Sequence, residues 1–106
     1  MRRIAALVSL AGVVLAGCQP HETWDRLAEC ESHGEWDYGP HSTWGSRLYE
    51  GGLQFAPSTW DAYRYDGFPD AAYKASRLQQ IAVAEAVLAD QGWGAWPACS
   101  RELGLR

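Results

Sequence analysis

The sequence predicts a small, mostly α-helical domain with an aromatic loop or small hairpin and one disulfide. Three observations lead there. The chain has 106 residues, room for one domain only. Its apolar residues recur at helical spacing in two segments, Trp24 to Glu31 and Leu78 to Leu88. Two cysteines, Cys30 and Cys99, stand at opposite ends of the folded part.

The opening segment is set apart from that domain. Arg2 and Arg3 precede an uncharged apolar run, Ile4 to Ala16. That run is shorter than the ~20 apolar residues of a membrane span and has the form of a secretory signal. It ends Leu15-Ala16-Gly17-Cys18, the form of a lipobox: small residues suit the peptidase cleft, and the Cys18 thiol receives the lipid. The alternative is an ordinary signal with Cys18 unmodified. The expected division is a lipoprotein signal over 1–17, a lipidated Cys18 with a tether to residue 22, and a domain over 23–106. The expected location is outside the cell, lipid-anchored at the outer membrane face and facing the wall. Fully extended, the tether reaches roughly 15–18 Å.

Loss of the signal removes two of nine basic residues, leaving seven against thirteen acidic ones. An acidic domain repels phosphate backbones, so no nucleic-acid partner is expected. A core of this size benefits from a covalent staple. With Cys18 taken by lipid, Cys30 and Cys99 are free to pair in an oxidising compartment. Two separate buried thiols or a zinc site are the alternatives, although two distant cysteines and scattered histidines lack zinc-ligand spacing. His21, His33 and His41 fall in or beside loops; neither a metal nor a cofactor is expected.

The elements follow in order. Thr23 reads as an N-cap. Trp24, Leu27, Ala28 and Glu31 form one stripe, and the helix stops near Ser32-His33-Gly34. Residues 34–52 are rich in glycine and carry Trp36, Tyr38, Trp44 and Tyr49, an aromatic loop with room for a hairpin. Leu53-Gln54-Phe55 leads into Pro57, which suits a first helical position before Ser58 to Tyr63. Asp70 caps a brief helix through Tyr73. Ser76 and Gln79 have capping-box spacing and open the strongest helix, a buried one that ends at Gly92. The tail, Trp93 to Cys99, reads as aromatic and turn-prone.

Glu31 is the residue that breaks the pattern. It closes an apolar stripe, where an ionised carboxylate is costly, so burial would raise its pKa and keep it protonated near neutrality. Lysozyme's acid in an apolar pocket is the known precedent. The alternative is a solvent-facing residue at a fraying helix end. Six Trp and five Tyr exceed the needs of one small core, and flat rings with polar tips suit sugars. Trp24 belongs to the core, whereas Trp36, Trp44 and Tyr49, set among glycines, are the candidate sugar-facing rings.

These residues also carry a family likeness. Trp24-Asp25-Arg26-Leu27-Ala28-Glu29-Cys30-Glu31-Ser32, Gly34-Glu35-Trp36, Gly51-Gly52-Leu53-Gln54-Phe55, Ser58-Thr59-Trp60, Gln80 to Glu85, and Gln91 to Cys99 together resemble the resuscitation-promoting factor domain. The resemblance spans essentially the whole mature chain. It implies a lysozyme-like fold, action on peptidoglycan, Glu31 as catalytic acid, and a Cys30–Cys99 bridge. It also places Thr59 and Gln91 in the glycan groove, and Gln54 is a further candidate for substrate binding. The chain departs from the family pattern in three places: Tyr49-Glu50 where two aromatics are common, a longer loop before Gly51, and His33 where glycine is common.

The expected function is cleavage of the glycan backbone between N-acetylmuramic acid and N-acetylglucosamine, in wall remodelling or resuscitation from dormancy. Glycosidases ordinarily use two carboxylates; here Asp37 and Glu50, both in the loop, are the remaining candidates. The alternative function is a non-catalytic peptidoglycan-binding lipoprotein. Expected partners are glycan strands and, through Cys18, the membrane; a partner hydrolase is unspecified.

Overall fold

The computed structural model describes residues 18–106; the expected signal segment, 1–17, lies outside the described residues. Four α-helices and two short 3₁₀ turns make up the domain: α1 His21–Ser32, α2 Pro57–Tyr63, a 3₁₀ turn Ala72–Lys74, α3 Arg77–Gln91, a second 3₁₀ turn Gly92–Ala95, and α4 Pro97–Glu102. No helix among the described residues is long and apolar enough to cross a membrane.

Helix α1 begins at His21, two residues before the expected cap at Thr23, behind an extended Pro20 whose carbonyl accepts from the Thr23 N–H at 2.9 Å. Of the four residues expected as a tether, His21 and Glu22 are already helical. Gln19 is itself docked: its N–H donates to Glu85 on α3, which also accepts from the Trp24 indole. The stripe is as the spacing predicts, with Trp24, Leu27 and Ala28 fully buried. The helix ends where His33 turns into the left-handed region at φ 59°, a conformation more often held by glycine, and the Gly34 N–H reaches back to the Ala28 carbonyl.

Helix α3 is the central helix. Ser76 and Gln79 form the full capping box, and Ile81, Val83, Ala84 and Val87 are buried along the helix. Leu78 is an exception: it is exposed, while Gln80 and Ile81 in the same turn face the interior. Around α3 pack Trp24 and Leu27 of α1, Trp60 of α2, and Phe55 and Trp96 from the flanking segments, making one contiguous core.

The tail differs from its turn-prone reading. Gly92–Ala95 is a 3₁₀ turn and Pro97–Glu102 is helical. Pro97 occupies the first helical turn, where its missing N–H costs nothing. Cys99 on α4 bonds Cys30 on α1, with Cα atoms 5.9 Å apart. Closing 69 residues of chain contributes about 4 kcal/mol in the loop-entropy model.

The expected hairpin reduces to one antiparallel bridge, Glu50 with Phe55; no strand forms among the described residues. Between them the chain turns through Gly51-Gly52-Leu53-Gln54. Two contacts dictate the paired glycines. Gly51 has φ +79°, and a Cβ there would lie 2.5 Å from the Gln80 Oε1. A Cβ on Gly52 would lie 2.5 Å from the Trp36 ring.

Candidate active site

Glu31 sits in the last turn of α1, immediately after Cys30 and immediately before the buried Ser32. Its side chain opens into a concavity walled by Tyr49, Gln54, Trp96 and the first turn of α4, Pro97 and Ala98. A second concavity shares Tyr49, Gln54, Ala95 and Trp96 with the first and continues to Thr59 and Gln91. The two form one groove, with Glu31 at one end and Thr59 and Gln91 at the other.

Each wall has a structural reason for its position. The disulfide joins α1 to α4, so the residues beside its two cysteines, Glu31 and Ala98, face each other across one end of the groove. The Trp96 indole donates to the Leu53 carbonyl at 2.9 Å and packs edge-on against Trp24 and Phe55. Trp96 therefore ties the floor to the Gly51–Phe55 turn. Gln54 holds a left-handed backbone at φ 55°, an uncommon state for a residue with a side chain, and its amide donates to the Gly51 carbonyl at 3.1 Å. Backbone held in such a region needs surrounding structure to over-determine it. Here the Glu50–Phe55 bridge supplies that constraint.

The chemistry of Glu31 follows from its walls. Trp96, Pro97 and Ala98 remove water without offering a countercharge, and this burial pushes the carboxyl up to about 7. The carboxyl is thus a proton donor poised at neutral pH. Neither loop acid joins it. Asp37 is exposed and pairs with His41 at 3.8 Å. Glu50, pushed up by partial burial, faces a different hollow lined by Tyr38, Pro40 and Arg47. Glu31 is the one carboxylate among the residues lining the groove.

Of the other residues singled out from sequence, Tyr49, Gln54, Thr59 and Gln91 line the groove with Glu31. Trp36 and Trp44 do not. Trp36 lies beneath Gly52, with the Arg77 guanidinium 5.9 Å from its ring centre. Trp44 stacks on His33 at 4.6 Å, and its indole donates to Glu35. Both rings pack within the loop, and Trp44 is in addition partly exposed. Cys18 is exposed, with its thiol free.

Four further residues shape the groove without being named as site residues from sequence. Trp96 and Pro97 line the wall beside Glu31; their pairing with α1 follows from the cysteine next to them. Ser32 continues the Trp24–Leu27–Ala28–Glu31 stripe by one position, and its buried hydroxyl bonds the Gly52 carbonyl at 2.9 Å and the Glu35 N–H at 3.1 Å. Gln80, fully buried in α3, accepts from the Gly52 N–H at 2.9 Å and donates to the Trp36 and Ala75 carbonyls. A polar residue inside an apolar helix was its only signal.

Comparison with known proteins gives a consistent set of similarities. The transglycosylase-like domain family matches residues 18–99. The chain is 56% identical over 90 residues to resuscitation-promoting factor Rpf1 of Corynebacterium glutamicum, covering 85% of this chain and 44% of that protein. It is 44% identical over 108 residues to resuscitation-promoting factor Rpf of Micrococcus luteus, covering 96% and 45%. It is 47% identical over 102 residues to resuscitation-promoting factor RpfC of Mycobacterium tuberculosis, covering 96% and 66%. The chain spans less than half the length of both the Corynebacterium and the Micrococcus proteins.

Proposed function

The chain belongs to the transglycosylase-like domain family, and from that premise we propose that it cleaves peptidoglycan glycan strands with Glu31 as the acid. The observation that carries this reading is a lone carboxyl, raised to about 7 by burial, at one end of a groove lined by Tyr49 and Trp96. A binding protein would profit from the rings alone. A carboxyl that burial brings to about 7 suits delivery of a proton near neutral pH.

In the proposed reaction a glycan lies along the groove, with the bond between N-acetylmuramic acid and N-acetylglucosamine at Glu31. The carboxyl protonates the glycosidic oxygen, and the C–O bond to the anomeric carbon breaks. The sugar's own 2-acetamido group stabilises the resulting positive carbon, a role that two-carboxylate glycosidases give to a second acid. Glu31, now a carboxylate, takes the proton of the 6-hydroxyl as that oxygen closes on the anomeric carbon, leaving a 1,6-anhydro end. Water in place of the 6-hydroxyl gives hydrolysis instead. Protonation by a placed acid accounts for about 10²- to 10⁴-fold of the acceleration.

Purified glycan strands incubated with the domain should yield products that mass spectrometry resolves into anhydro or reducing ends. Glu31→Gln should fold and release neither. Undiminished cleavage by that variant removes Glu31 from the mechanism. The relatives are named for resuscitation, and we extend that role, growth stimulation through wall remodelling, to this chain. We further propose export and lipidation at Cys18, whose thiol is exposed. The intact mass of protein extracted from membranes tests this: a mass without acyl groups rules out the anchor.

A further inference from the structure

At the end of the groove far from Glu31, a chain of three side chains runs from α3 to α2 and back. The Gln91 Nε2 lies 3.0 Å from the Tyr63 hydroxyl, and that hydroxyl bonds the Asp90 carboxylate. Chemistry fixes the direction. An ionised carboxylate only accepts, so the single phenol proton goes to Asp90. The phenol oxygen then has only lone pairs to offer, and Gln91 must meet it with its NH₂ group. An amide turned the other way would bring two acceptors to one phenol proton, which the network disfavours. With one Nε2 hydrogen committed to the phenol, the face of the amide is fixed, and the carbonyl oxygen of Gln91 is the acceptor left for a ligand.

We propose that Tyr63 and Asp90 are positioning residues that clamp the Gln91 amide, so that the far subsite offers a carbonyl acceptor to an N–H or O–H of the bound sugar. The inference rests on the glycan-cleaving reading of the groove and deepens it. Neither residue lines the groove. Tyr63 stands one helical turn beyond Thr59 on α2, and Asp90 directly precedes Gln91 on α3. The clamp therefore acts through Gln91 and sets sugar affinity and orientation at the Thr59 end, leaving proton delivery at Glu31 untouched. A free glutamine amide samples both faces and must be ordered on binding; a clamped one has been ordered in advance.

The test uses Tyr63→Phe, which keeps the ring and removes the hydroxyl, with an N-acetylglucosamine trimer as probe and glycan strands as substrate. The Gln91 side-chain amide signals in a proton–nitrogen NMR spectrum should shift in the variant. Trimer Kd and strand KM should rise about three- to tenfold, the value of one lost hydrogen bond, while kcat and its pH profile stay put. Asp90→Asn, which still accepts from the phenol, should keep most of the affinity that Asp90→Ala loses. On a Gln91→Ala background, Tyr63→Phe should have no further effect. Unmoved Gln91 signals, or an equal loss of affinity without Gln91, would overturn the clamp. Should the unaltered protein neither bind the trimer nor cut strands, the glycan reading fails, and the amide signals still decide whether the clamp exists.

Discussion

Glu31 occupies a position whose neighbours on the helix face, Trp24, Leu27 and Ala28, are fully buried. Its walls supply no positive charge, so burial alone acts on it and favours the neutral form. The sign of the pH effect follows. A general acid works only while protonated, so strand cleavage should be full below about pH 6 and fall roughly tenfold per unit above about pH 7, as rates measured from pH 5 to 9 will show. A flat profile across that window would mean that another group delivers the proton. The stability linkage has the same sense: the raised carboxyl supports folding below its ordinary 4.5 and loses that contribution as pH climbs towards 7. Periodicity marked this residue, because a helix repeats its burial pattern, and the family likeness pointed to the same position. Thr59 and Gln91 became visible only through family likeness, since nothing local marks a polar residue at a helix end as groove-facing. Trp36 and Trp44 show the limit of composition. A glycine-rich loop has no period, and whether its rings face a ligand or its own backbone depends on contacts across the fold.

Among the elements, the Gly51–Phe55 turn matters most, because it presents Gln54 and follows Tyr49. Gln80 holds this turn from α3. Its amide meets the Gly52 N–H, the Trp36 carbonyl and the Ala75 carbonyl, all at 3.0 Å or less. Gln80→Leu keeps the volume and leaves three backbone groups unpaired in the interior, a loss of about 2–4 kcal/mol. Denaturant unfolding should register that loss, and strand KM should rise as the Tyr49–Gln54 side of the groove loosens. A variant with unchanged stability and KM would mean the turn is held elsewhere. The capping box of α3 and the proline start of α2 were readable, since both are local chemistry. Helix α4 was not: six residues opening on a proline resemble a turn until the disulfide and the Trp96 indole fix their path. The register of the bridge between Glu50 and Phe55 was equally hidden, since Gln80 holds the intervening turn from α3 and Trp36 packs against its Gly52.

At the scale of the whole molecule, the groove is a seam between helices with few residues to spare. One side is α1 bonded to α4 through Cys30 and Cys99; the other is α2 against α3, with Trp96 anchored to the turn between them. The disulfide thereby does two jobs, limiting the freedom of the unfolded chain and fixing Ala98 opposite Glu31. The groove itself offers rings, side-chain amides and hydroxyls, with Glu31 as its one charged group. At the centre of the groove's chemistry is one carboxyl whose titration burial moves into the neutral range. NMR titration of the Glu31 side-chain carboxyl carbon reads it directly. A midpoint near 7, matching the alkaline fall in cleavage rate, is the predicted result; a midpoint near 4.5 would contradict it.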